Sequence, residues 1–163
     1  MAAGSFFSDQ SGGSNYLCLT NQTSFLSTVP GQDNLRGRVT GVEYEFFDPV
    51  PDGLDSVGNF NVPCAACHNT MRAGKIMIPG TSMCPDSSWT REYFGYLVSE
   101  IRGGFNTHYR TTFECMDVSP EGIPGSGANI DGATFYFVEA TCNGIDCPPY
   151  EEGAELSCVV CTK

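Results

Sequence analysis

Nine cysteines set in a near-repeat limit what this 163-residue chain can fold into more than any other feature. Cys115 follows Cys18 by 97 residues, and Cys158 and Cys161 follow Cys64 and Cys67 by 94 each. Their neighbourhoods match as well. "SNYLCLT" (14–20) and "TFECMD" (112–117) each hold a cysteine inside an aromatic, strand-like run. Gly-led aromatic segments follow, "GVEYEFF" from Gly41 and "GATFYFV" from Gly132, and then "VPCAAC" and "LSCVVC". Ordered anchors at a constant spacing are the mark of an internal duplication. The expected organisation is an all-β, disulfide-rich domain of two pseudo-repeats of about 95 residues. They cover residues 1–72 and 73–163, join near Met71–Lys75 and form one compact unit.

The second repeat carries a lead, "IMIPGTSMCPDSSWTREYFGYLVS" (76–99), that has no counterpart in the first, because an offset of 97 sets Met1 against Val98. The cysteine count agrees. Two complete repeats plus Cys142 and Cys147 would hold ten cysteines; nine are present, and the absent one belongs to the first lead. An unpaired cysteine in a secreted chain points to an intermolecular bridge or a free thiol. Here its partner is expected in a segment upstream of Met1 or in a neighbouring subunit. Pairing of Cys84 within the second repeat would leave Cys18 as the cysteine awaiting a partner.

Composition sets the compartment. Nine cysteines, 19 glycines and ten prolines in 163 residues describe a loop-rich, cross-linked chain, at a density usual for secreted proteins and high for cytosolic ones. Asn21-Gln22-Thr23 is the one N-glycosylation sequon, with Asn21 as its acceptor. The first residues lack the basic and apolar regions of a signal peptide, so secretion would require a leader already removed or a chain that begins partway through a longer product. A net charge of −11 with eight Lys and Arg repels phosphate backbones and anionic lipid, which excludes nucleic acid and membrane surfaces as natural partners. It leaves calcium or cationic partners open.

Short β runs dominate: 16–20, 39–47, 75–78, 93–99, 111–116, 134–140 and 157–161. Val42, Tyr44 and Phe46 alternate with Glu43 and Glu45, the pattern of a strand with one buried face. "ATFYFVEA" is continuously apolar enough to be buried on both. Serine before "WTRE" predicts a short helix over 87–92.

The C-x-x-C pairs at Cys64/Cys67 and Cys158/Cys161 admit several chemistries. Zinc would use all four, although the usual ribbon pairs lie about 15–20 residues apart. A thioredoxin-like redox site expects a βαβ setting, which is not evident. Cys64, Cys67 and His68 spell a haem attachment signal, but this glycine-rich β chain promises no helical haem pocket. Structural disulfides are the favoured reading of all nine: Cys18, Cys64, Cys67, Cys84, Cys115, Cys142, Cys147, Cys158 and Cys161. Cysteines three apart on a strand point to opposite faces, so each pair is expected to tie two different elements, one from each half. Cys142 and Cys147 can close a small loop around "NGID". Connectivity otherwise stays open.

No catalytic constellation emerges. His68 and His108 lack a motif partner, and G-x-S-x-G, P-loop, G-x-G-x-x-G and H-E-x-x-H are absent. No cofactor is implied. "NIDGATF" (129–135) offers oxygen donors to calcium but reads better as a turn before a strand. Phe6, Phe7, Trp89, Tyr96 and Tyr109 are aromatic residues able to stack on sugars.

Taken together, "GSNYLCL", "GVEYEFF", "VPCAAC", "MIPGTSMCP…W…EYFGYLVS", "ECMD…PGSGANIDGATFYFVEA" and "CPPYEEGAELSCVVCTK" resemble the non-collagenous domain of spongin short-chain collagens and their relatives, itself similar to the duplicated C-terminal domain of basement-membrane collagen. The resemblance implies a secreted, non-enzymatic matrix protein, and relatives of this kind carry a C-P lead before the first half. No Gly-X-Y tract is present, so collagen trimerisation is not implied. The expected function is self-assembly into extracellular matrix or filaments through strand exchange and disulfide-stabilised β domains. The expected partners are further copies of the chain, other matrix proteins or glycans. The alternative is an extracellular glycan-binding, lectin-like module.

Overall fold

A computed structural model describes residues 1–6, 15–31, 36–46, 49–101 and 111–163. Among them the fold is all-β. Its strands are β1 (Ala2–Gly4), β2 (Leu17–Cys18), β3 (Thr40–Tyr44), β4 (Lys75–Pro79), β5 (Thr90–Ser99), β6 (Glu114–Asp117), β7 (Ala133–Phe137) and β8 (Ser157–Thr162). A single 3-10 turn, Asp55–Val57, interrupts the loop after β3. Among the described residues no helix is long and apolar enough to cross a membrane.

The helix predicted over 87–92 is not formed. The Asp86 carboxylate instead accepts hydrogen bonds from the Ser88 backbone N–H and hydroxyl. Such a local side-chain bond favours a turn over a helix, and the turn delivers the chain into β5. Strand β1 had no sequence signal, being three small residues; hydrogen-bonded neighbours on both sides hold it extended. Phe47, Phe7, His108 and Tyr109 lie outside the described residues.

The strands form one curled sheet in the order β2-β1-β3-β7-β5-β8-β4, with β6 on the other side of β5. Every pair is antiparallel except β3–β7, which runs parallel with Val42 opposite Ala133, Glu43 opposite Thr134 and Tyr44 opposite Phe135. This seam joins the N-terminal strands to the rest. Aromatic rings reinforce it: Phe46 stacks on Phe137 at 4.5 Å between centroids, and Tyr16 meets Phe135 edge-on at 4.7 Å. Such pairs add about 0.5–1.5 kcal/mol each beyond the area they bury.

Glu43 departs from the expected alternation. It is 2% exposed, between buried Val42 and Tyr44, because β3 is covered on both faces at this point. Its carboxylate is kept hydrogen-bonded there by the Ile130 and Asp131 N–H groups at 3.1 Å.

β5 is the long strand on which the remaining elements assemble. It pairs with β6, β7 and β8. Gly95 sits between β6 and β8, and a Cβ there would lie 2.0 Å from the Met116 carbonyl oxygen and 2.5 Å from the Val118 nitrogen. Backbone cannot give way as a side chain can. Gly95→Ala is therefore expected to destabilise the protein by about 1–3 kcal/mol or more, read as a lowered urea midpoint at unchanged m value.

Candidate assembly site

The two C-x-x-C elements have the same spacing and opposite surroundings. Cys158 and Cys161 are fully buried on β8, and Val159, Val160 and Thr162 are buried with them. β8 is central: Ile76 of β4 and Arg91 of β5 both lie opposite Cys161. Cys158 bonds Cys115 of β6 (Cα–Cα 5.7 Å), and Cys161 bonds Cys84 in the turn between β4 and β5 (Cα–Cα 6.0 Å). Closing loops of this length contributes roughly 4 kcal/mol per bridge. Thr162 donates to the Glu92 carboxylate, which also takes the Arg72 guanidinium at 2.8 Å. These bonds hold the Glu92 carboxyl below the usual carboxylate range.

Residues 63–68 carry the other copy of the motif, and every one is exposed. The chain leaves the sheet just before them. Val62 donates to the Val42 carbonyl and accepts from the Ala2 N–H, and beyond it no backbone hydrogen bond joins 63–68 to another described residue. Cys64 bonds Cys18 of β2, with Cα–Cα 5.5 Å. Cys67 is free and exposed, as is His68 at the place where the buried copy has Thr162.

This corrects two expectations. The cysteine left over is Cys67 and not Cys18, because pairing of β2 with β1 sets Cys18 against Cys64. Nor do the bridges cross between the expected halves. Cys18–Cys64 lies within 1–72; Cys84–Cys161, Cys115–Cys158 and Cys142–Cys147 lie within 73–163. The pair on β8 does tie two different elements, both close to it in the same part of the sheet. Among the described residues no four cysteines gather as a zinc set would require; the metal-capable group is made of carboxylates alone.

A groove of about 750 Å³ opens beside Cys67, lined among others by Leu17, Cys64, Tyr93, Glu114 and Cys115. Burial raises the Tyr93 phenol above its ordinary range, and Glu114, Asp117 and Cys67 add to the effect. Burial likewise raises Glu114, partly offset by Lys75. Sequence reasoning missed this groove. No sequence signal marked it: Leu17, on its wall, is exposed in the fold but reads in the sequence as an ordinary strand residue.

A second feature lies at the β3–β7 seam. Glu43, Glu45 and Asp131 bring carboxylate oxygens within 4.8 Å of one another, and these are the residues whose chemistry suits a hard cation. Glu43 already serves the "NIDG" turn through two amides. That turn has Asn129 and Asp131 at positive φ, which Asn and Asp tolerate better than most residues. Burial, followed by the charges of Asp131 and Glu43, raises the Glu45 carboxyl.

The other sequence candidates scatter. Trp89 is half-buried under the Lys163 ammonium, 5.7 Å from the ring centroid. Tyr96 packs edge-on against Phe137 in the core region. Phe6 stands at the surface. Asn21 and its whole sequon are exposed. Cys142 and Cys147 are bonded to each other.

Compared with known proteins, the chain matches no family model, no curated protein and no solved structure.

The Glu45 shift has a definite sign. A carboxyl raised in the folded state holds its proton there at a pH where the unfolded chain has lost it. Its contribution to stability therefore falls as pH rises from about the unfolded value of 4.5 through the higher folded value. Glu45→Gln removes this fall, so urea midpoints should show the variant gaining on the parent at pH 7 relative to pH 4.

Proposed function

We propose that this protein is a secreted structural module that joins neighbouring molecules into an extracellular matrix or filament by strand addition and disulfide bonding. The observation that carries the reading is the contrast between its two C-x-x-C elements: one is a fully paired central strand, the other an exposed segment, without a backbone hydrogen bond to another described residue, that holds a free thiol. An open β edge is a template for another chain.

Several features support two matched halves, 1–72 and 73–163. Cys18–Cys64 and Cys115–Cys158 span 46 and 43 residues. The Gly-led strands β3 and β7 pair side by side in equivalent register. Cys67 is unbonded where its counterpart, Cys161, is bonded to the lead cysteine, Cys84. Four disulfides and an exposed sequon favour an oxidising, extracellular setting. The resemblance to the non-collagenous domain of spongin short-chain collagens points the same way, with copies of the chain or other matrix proteins as partners and no catalytic role.

One further observation favours glycan binding as the second reading. A cavity of about 510 Å³ is lined by Glu45, Glu100, Glu139 and Glu155 beside Phe113 and Tyr136, the carboxylate-and-aromatic mixture that holds sugars by hydrogen bonding and stacking. Glycan-array binding that is lost on Phe113→Ala would support it over the structural reading.

Negative-stain imaging and sedimentation of native material test the leading proposal. Fibres or large assemblies are expected, with reducible covalent oligomers that disappear from non-reducing gels on Cys67→Ser. Uniform monomers with Cys67 as a free thiol would overturn it.

A further inference from the structure

We infer that the cavity bounded by the ends of β5 and β7 and by the Glu139–Glu155 bridge binds an organic cation, an aliphatic ammonium group held between carboxylates and an aromatic ring. Ammonium binding goes beyond the glycan reading of this cavity and does not require it. The first reason is a pair of like charges. Glu139 and Glu155 stand directly opposite each other in an isolated antiparallel bridge. The flanking hydrogen bonds run from the Leu156 N–H to the Val138 carbonyl and from the Ala140 N–H to the Ala154 carbonyl. Theirs is therefore the non-hydrogen-bonded position, where side chains lie closest on one face. Like charges placed so are destabilising. Among the described residues neither carboxylate has a hydrogen-bond or ion-pair partner.

Two further carboxylates line the same cavity. Glu100 is held by the Thr134 hydroxyl and the Ile101 N–H. Glu45 is different: its Oε1 is buried and has no hydrogen-bond partner. Burial, then the charges of Asp131, Glu43 and Glu100, raise its carboxyl, and a cation arriving here relieves that repulsion. No Lys, Arg or His stands among the described residues of the lining. The charge that balances these four acids must therefore come from a ligand or from solution ions.

The walls decide what kind of cation fits. A volume of about 510 Å³ lies within the range of small-molecule sites, roughly 300–1,000 Å³, and exceeds what a single metal ion fills. Ile101, Phe113, Phe137 and Val138 offer apolar surface that suits an alkyl chain and gives a hydrated ion nothing to bond. Glu43 and Asp131, which complete the metal-capable group with Glu45, are not part of the lining. Phe113 is 55% exposed, so the face of its ring is accessible to an ammonium group. A free diamine and the side chain of a lysine on another protein share this chemistry.

The test titrates the isotope-labelled full chain, followed by amide NMR, with cadaverine, with Nα-acetyl-lysine methylamide, with pentanediol as the uncharged isostere, with calcium chloride and with glucose. Cadaverine or the lysine derivative should give saturable shifts gathered around Ser99, Phe113, Val138 and Glu155. Pentanediol should bind at least about tenfold more weakly, because it lacks the charge-assisted bonds. Tighter binding of cadaverine identifies a free diamine as the source, and tighter binding of the lysine derivative identifies a protein side chain. The double variant Glu139→Gln, Glu155→Gln should weaken binding at least about tenfold and, without ligand, raise the urea midpoint, since it removes two facing charges. Phe113→Ala should weaken binding about threefold. Equal binding of pentanediol, shifts scattered over the acidic surface, unchanged affinity in the double variant, or the same shifts from calcium at equal concentration would each overturn the inference. A response to glucose without one to either amine would overturn it and leave the glycan reading standing.

Discussion

The pairing of β8 between β5 and β4 is the constraint on which the rest of the molecule depends. β8 is buried on both faces and hydrogen-bonded along both edges, so its two cysteines have no exit except into neighbouring elements. One bridge draws in β6, and the other closes the β4–β5 turn. A short strand of small and β-branched residues, "SCVVCT", gains stability in this way from packing and cross-linking together. The residues just before β4 are tied to the same strand. Gly74 exchanges two backbone hydrogen bonds with Lys163, and Arg72 reaches both Thr162 and Glu92.

The β3–β7 seam joins the two parts of the sheet, and its parallel geometry explains an acid at its centre. Parallel strands are usually covered on both faces. A buried carboxylate is tolerable only with donors aimed at it, and the "NIDG" turn supplies two amides to Glu43. The buried polar position thus fixes the turn that precedes β7. Gly132 belongs to the same device, since a Cβ there would lie 2.2 Å from the Gly41 carbonyl oxygen.

The same local spelling therefore supports opposite outcomes. "PCAACH" and "SCVVCT" differ modestly in composition, yet one is bare and the other is core. Strand burial is a property of neighbours, and a strand edge without neighbours keeps its N–H and C=O groups available for another chain. Exposed Leu17, the Cys18–Cys64 bridge and the free thiol of Cys67 border one groove.

Much of the architecture was legible in the residues. Aromatic and β-branched runs between Gly and Pro clusters specified an all-β chain, and most strands fall within a few residues of their expected limits, because period and punctuation are local properties. The oddness of the cysteine count was also legible. Which cysteine stands alone was not, since pairing requires Cα atoms within about 4.4–6.8 Å and only folding brings Cys18 to Cys64. β1 escaped notice because Ala2–Gly4 has no pattern of its own, and the helix expected over 87–92 gave way to an Asp86-centred turn. By itself, the sequence determined the secondary-structure class, the cross-linking chemistry and the matching of two C-x-x-C elements. Tertiary structure alone decided that one of them is a buried central strand and the other an exposed segment outside the sheet, because burial and strand pairing depend on which distant residues arrive beside each element.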